Sequence, residues 1–173
     1  MSSAQQFLAS LTKGVNSPVS NATSTSPFGN ISLFAIPAVW VVSIAAHFYA
    51  AANAPTSGGF DNVSPRGYLA SITRKEKRTP QEELYIRAEA AQQNGFENLP
   101  FFAAAILAGN VARLPVDFLN LSAVVYVGSR ILYNVLYINT TSASASNLRS
   151  VVFLTGVGTC FTLFIRAGRA FQY

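Results

Sequence analysis

Two sets of polar residues interrupt the apolar segments of this 173-residue chain, and their spacing lets each set act together. Arg87, Asn94 and Glu97 are seven and three residues apart, so a helix through them places all three on one face. Tyr126, Arg130, Tyr133 and Tyr137 follow steps of four, three and four, which again makes one helical stripe. Arg149 stands at the start of a further apolar run, with Phe153 one turn along. Charged groups are costly in hydrocarbon and turn toward a bundle interior or a wet cavity. Three arginines, a glutamate and three tyrosines on facing helices are therefore expected to converge on one hydrophilic pocket. At 1.5 Å rise per residue, Arg130 would lie about 12 Å from the cytosolic end of its helix, with Asn94 and Glu97 roughly 18–23 Å from theirs. An Arg130–Glu97 pair is expected, because either charge alone at that depth costs several kcal/mol. Arg87, Tyr137 and Arg149 would lie nearer the cytosolic surface, where the pocket would open. The plainer alternative is that such a stripe only glues helices together.

The elements that must position these residues are membrane helices. Half the residues are hydrophobic, only 11% are charged and mean hydropathy is +0.31, against about 25% charged residues in a soluble domain. A bilayer core needs about 20 helical residues per crossing. Ile31 to Ala52 is uncharged, Phe118 to Ile138 is interrupted by Arg130, and Val151 to Ile165 is flanked by Arg149, Arg166 and Arg169. The segment from Glu82 to Gly109 has an apolar second half, while its first half holds Arg87, Glu89, Asn94 and Glu97. It becomes a span if other helices cover its polar stripe. The expected fold is an all-α, polytopic four-transmembrane-helix bundle, with helices near 31–53, 82–109, 118–139 and 148–171. A polar, largely disordered tail over 1–30 precedes a single membrane domain over 31–173.

Net charge is +5, but the cations do not form the interleaved basic and aromatic surface of a nucleic-acid binder. Arg66, Arg74, Lys75, Lys77 and Arg78 share the loop after the first span, which favours a cytosolic position for it and puts both termini across the membrane. That basic run reads as a solvated loop near anionic headgroups. No signal peptide is legible at the N-terminus, where Gln5 to Leu11 could form a brief helix. Asn21 opens a sequon usable in a lumenal tail, whereas those at Asn30, Asn120 and Asn139 sit close to membrane ends. One cysteine, Cys160, and one histidine, His47, exclude a disulfide and a metal site built on either type. Both read as packed residues, Gly156 and Gly158 read as points of close helix contact, and Gly58-Gly59 as a turn.

The segment Gln92 to Phe102, QQNGFENLPFF, with Arg87-Ala88 upstream, resembles the second helix of the MAPEG superfamily, the membrane-associated proteins in eicosanoid and glutathione metabolism. Asn94, Glu97 and Pro100 match that helix's pattern. Arg130, Tyr133 and Tyr137, then Arg149-Ser150-Val151, follow in the family's order, and Ser64-Pro65-Arg66 is similar to a turn of its less-characterised branch. The resemblance covers roughly 31–171. It implies four-helix protomers in a homotrimer, with glutathione as co-substrate between neighbouring chains. Arg149 would polarise the thiol, Arg130 and Tyr137 would bind the tripeptide, and Asn94 and Glu97 would hold its polar groups. Arg87 and Tyr133, on the same stripes, complete the expected binding set. The implied activity is that of a transferase or peroxidase acting on hydrophobic electrophiles or lipid hydroperoxides. The implied place is the endoplasmic reticulum membrane, with the mitochondrial outer membrane as alternative. Ala90 stands where active glutathione-dependent members carry an arginine, Phe153 where some have a tyrosine, and Tyr133 in place of a histidine. Those departures keep open a second reading, a non-catalytic scaffold or a subunit of a larger membrane complex.

Overall fold

A computed structural model describes residues 27–55, 60–141 and 143–172, with the side chains of 143–146 outside that description. The expected tail, apart from 27–30, therefore lies outside the described residues, as do Gln5 to Leu11, the Asn21 sequon and Gly58-Gly59. All regular secondary structure among the described residues is helical. A 3-10 turn, Ser32–Phe34, leads into α1 (Ala35–Ala52). Then come a short α2 (Pro65–Thr73), α3 (Pro80–Val111), α4 (Val116–Asn139) and α5 (Ala143–Ala170). The four long helices overlap the ranges expected near 31–53, 82–109, 118–139 and 148–171, with α5 starting earlier, at Ala143. The short α2 is additional, since the cations around it mark that stretch as a loop.

Local chemistry sets the ends. Thr79 Oγ1 accepts the Glu82 amide at 3.2 Å while Glu82 Oε2 accepts the Thr79 amide at 2.8 Å. That reciprocal box starts α3, with Pro80 at a position whose missing N–H costs nothing. Lys75 pairs with Glu82 and Arg78 with Glu83, tying the basic loop to the same turn. At the other end of α3, Arg113 takes a left-handed conformation (φ 53°), and Pro115 follows before α4 begins.

α3 is the central element, touching α1, α2, α4 and α5. Its close approach to α1 depends on Gly95, where an added Cβ would sit 2.5 Å from Ser43 Oγ. Gly156 similarly brings α5 to within contact of Ser129, but Gly158 has open space around it. The α2 helix rests on the start of α3 through buried Ile72 and an edge-to-face contact of Tyr68 with Tyr85 at 5.3 Å. Three helices, Ser32–Ala52, Val116–Asn139 and Asn147–Ala170, are long and apolar enough to cross a membrane. Their outer faces carry large apolar side chains, among them Phe48, Leu121, Ile131, Leu154 and Ile165.

The interior is layered. One apolar cluster gathers Val39, Phe102, Ile106, Leu119 and Leu163, with Cys160 fully buried within it. A second gathers Ala46, Ala50, Tyr85, Ala88 and Ile138. Between them lies a polar stratum: Ser43 on α1, Asn94 on α3, and Ser129, Arg130 and Tyr133 on α4. The end of the bundle beyond the first cluster is tied by amides. Asn30 Nδ2 donates to Asn110 Oδ1 at 2.7 Å, Asn110 Nδ2 to Ser32 Oγ at 3.1 Å, and Asn120 Nδ2 to the Gly29 carbonyl at 2.7 Å.

Candidate functional site

Arg130 forms the heart of the polar stratum. It is 3% exposed, and its Nη1 donates to Asn94 Oδ1 at 3.1 Å. Three rings surround the guanidinium: Tyr133 at 4.8 Å, Phe153 at 5.4 Å and Tyr126 at 5.6 Å from Cζ to centroid. Ring faces attract a cation, most strongly where water is excluded. They offer no acceptor to Nε, which has no hydrogen-bond partner. Tyr126 is itself fixed, stacked on Phe102 with centroids 3.9 Å apart, its hydroxyl donating to the Asn98 carbonyl at 3.3 Å.

Nearer the chain end that carries Arg149, a cavity of about 440 Å³ opens between α3, α4 and α5. Asn94, Tyr133, Tyr137, Arg149 and Ser150 supply its polar atoms, and Phe153 and Leu154 its apolar wall. The Arg149 guanidinium lies over the Tyr137 ring at 4.3 Å, and the Tyr137 and Tyr133 rings meet at 5.5 Å. Such a volume is typical of small-ligand sites, roughly 300–1,000 Å³. It holds arginine and tyrosine donors and no carboxylate, so its chemistry suits an anionic ligand with an apolar portion.

The sequence model of the MAPEG family matches residues 31–169. The chain belongs to that family. No curated protein and no solved structure matches it significantly. Family membership and the outward-facing apolar helices together make this a membrane protein.

In this MAPEG chain the expected site residues divide into two groups. Asn94, Tyr133, Tyr137 and Arg149 line the cavity, and Arg130 stands directly behind it through Asn94 and Tyr133. Glu97 and Arg87 do not join them. Glu97 is exposed and accepts from Gln93 Nε2 at 2.8 Å. The ion pairs among the described residues are His47–Glu89, Lys75–Glu82 and Arg78–Glu83, so the expected Arg130–Glu97 pair is not formed within the chain. Asn94 takes that place, because three residues further along α3 the side chain has rotated by about 60° away from Arg130. Arg87 shares a face with Asn94 but is held elsewhere, its Nε donating to the Ile138 carbonyl at 2.8 Å. It completes the exposed end of α4, where carbonyls lack helical partners.

One partly buried pair is not foreseen by the sequence. His47 Nδ1 meets Glu89 Oε1 at 2.7 Å between α1 and α3, on the side of α3 away from the cavity. The sequence offers His47 no second histidine or cysteine, and it gives no signal that a carboxylate two helices later in the chain faces it. Among the described residues no group of three or more His, Cys, Asp and Glu side chains could hold a metal.

Proposed function

We propose that this protein is a glutathione-dependent membrane enzyme that joins the glutathione thiol to hydrophobic electrophiles or reduces lipid hydroperoxides. The observation that carries the reading is Arg130, a guanidinium 3% exposed, with no carboxylate partner among the described residues and a donor left over at Nε. A lone buried cation destabilises a fold unless an anion compensates it, and glutathione carries carboxylates that arginine forks hold well. Asn94 and Tyr133 would pass the influence of Arg130 to the bound peptide, while Tyr137 would hold it beside Arg149. Arg149 would then stand near sulfur, where a positive charge lowers a thiol pKa and raises the thiolate fraction. The thiol proton leaves to solvent, and the thiolate attacks the electrophilic carbon, displacing the leaving group or opening the acceptor. With a hydroperoxide it attacks the outer oxygen, the alcohol leaves, and a second glutathione thiol takes the sulfur to the disulfide with release of water.

α3 completes the picture as a fourth span in a homotrimer. Gln93, Glu97, Pro100, Ala104, Leu107 and Val111 form one exposed stripe along it. A carboxylate on such a stripe at membrane depth favours cover by a neighbouring copy over cover by lipid. Glu97 would act across that contact. The endoplasmic reticulum is the expected membrane, with the mitochondrial outer membrane second.

A non-catalytic scaffold is the competing reading, and Ala90 favours it, since a half-buried methyl stands where active members present an arginine. Titration of purified protein with glutathione separates the two. The enzyme reading expects saturable binding by the wild type and at least about tenfold weaker binding by Arg149→Ala. Absence of saturable binding to the wild type removes the enzyme and leaves the membrane fold untouched.

A further inference from the structure

A second open cavity, of about 330 Å³, lies between α1 and α4. α4 turns Ile131, Val135 and Ile138 toward it, and Tyr133 and Tyr137 toward the polar cavity, so the two spaces occupy different faces of one helix. Its cause is legible in residue size. Ala45 and Ala46 on α1 are too small to reach across to Ile131 and Val135, while Asn134 Nδ2 holds the helices together by donating to the Val42 carbonyl at 2.9 Å. From Val42 to Tyr49 the groove runs along about 10 Å of helix.

We propose that this groove holds one acyl chain of a membrane phospholipid. Polarity inside it is graded. The walls at the Val42 and Ile131 end are aliphatic, whereas Tyr49 and Asn139 stand at the other end, where α1 and α4 finish. The Tyr49 hydroxyl is without a hydrogen-bond partner among the described residues, and Asn139 spends its Nδ2 on the Val135 carbonyl at 2.7 Å. An ester carbonyl would accept from Tyr49 with the chain running inward along the alanines. Both walls belong to helices apolar enough to cross a membrane, and Ala45, Ile131 and Val135 are exposed, so acyl chains are the surrounding medium.

The test is native mass spectrometry of the full chain released from phosphatidylcholine nanodiscs, scored for phospholipid retained per protomer. The wild type is expected to retain one. Ala45→Phe fills the groove from α1 and Val135→Trp fills it from α4. Each is expected to cut retention about tenfold, the equivalent of losing nearly two buried methylenes, with helicity unchanged. A wild type that retains no phospholipid overturns the proposal, as does equal retention by both variants. A change in oligomer mass with retention unaltered also overturns it, because the groove would then be covered by a second copy. Glutathione titration of the same samples reports on the polar cavity separately, so failure here is distinguishable from failure of the enzymatic reading.

Discussion

On the α1 side of α3, His47 and Glu89 meet at 2.7 Å, with side chains 24% and 10% exposed and the fully buried Tyr85 on the same helix face. On the α4 and α5 side, Arg130 is buried more deeply and has only an asparagine and three rings. Both are polar inclusions in an apolar bundle, yet one closes a hydrogen bond between its own two side chains and the other leaves a donor over. A closed pair is what a structural role produces, since nothing is left for a ligand to do. An open cation beside a cavity is what a binding role produces, and the fold bears the cost of keeping it. Stability and binding should therefore separate across α3.

The sharpest test removes one partner on each side. His47→Leu strands the Glu89 carboxylate and should lower stability in detergent by about 2–3 kcal/mol, the lower part of the range for broken buried pairs because the site is partly exposed. His47→Leu combined with Glu89→Leu should recover most of that loss. Arg130→Met should leave stability unchanged or raise it, because it removes an uncompensated charge, while weakening glutathione binding. Thermal melts of these variants check all three, and a large loss of stability in Arg130→Met would erase the distinction. Next in size, Tyr137→Phe added to Arg149→Ala should weaken binding further by about 1.5–3 kcal/mol, the loss of a phenol donor to a charged ligand group. Gly95→Ala should follow with a loss of about 1–2 kcal/mol, because its methyl would collide with Ser43 on the closed side. Binding per folded molecule should be unaltered, which titration of the surviving fraction checks. Thr79→Ala is the smallest, about 1 kcal/mol from the lost cap. It caps α3 ahead of both Glu89 and Asn94 and should favour neither inclusion.

Hydropathy makes α1, α4 and α5 legible because each needs a long apolar face, whereas α3 shows one only in its second half, beyond a polar stripe. The short α2 obeys a weaker rule. Tyr68, Leu69 and Ile72 cover only two turns, and the loop's cations dominate the composition around them. The polar cavity was legible in the same way as the long helices, since Tyr133 and Tyr137 repeat at helical spacing and Arg149 opens the next run. Pairings between helices were not. Periodicity says which residues share a face, and rotation by a few tens of degrees decides whether Asn94 or Glu97 reaches Arg130. His47 and Glu89 share no periodicity at all, and their contact exists only once Gly95 lets α1 approach α3.

The amide ties at the far end of the bundle bear on how the chain is processed during synthesis. Asn30 and Asn120 each begin an Asn-X-Ser triplet, Asn30-Ile31-Ser32 and Asn120-Leu121-Ser122. Glycan transfer uses the carboxamide nitrogen, and in the finished fold both nitrogens are already donated, to Asn110 and to Gly29. A sugar could be added only before the bundle shuts, and its bulk would then keep it from shutting. Carbohydrate found at either asparagine would thus mark molecules that never completed assembly.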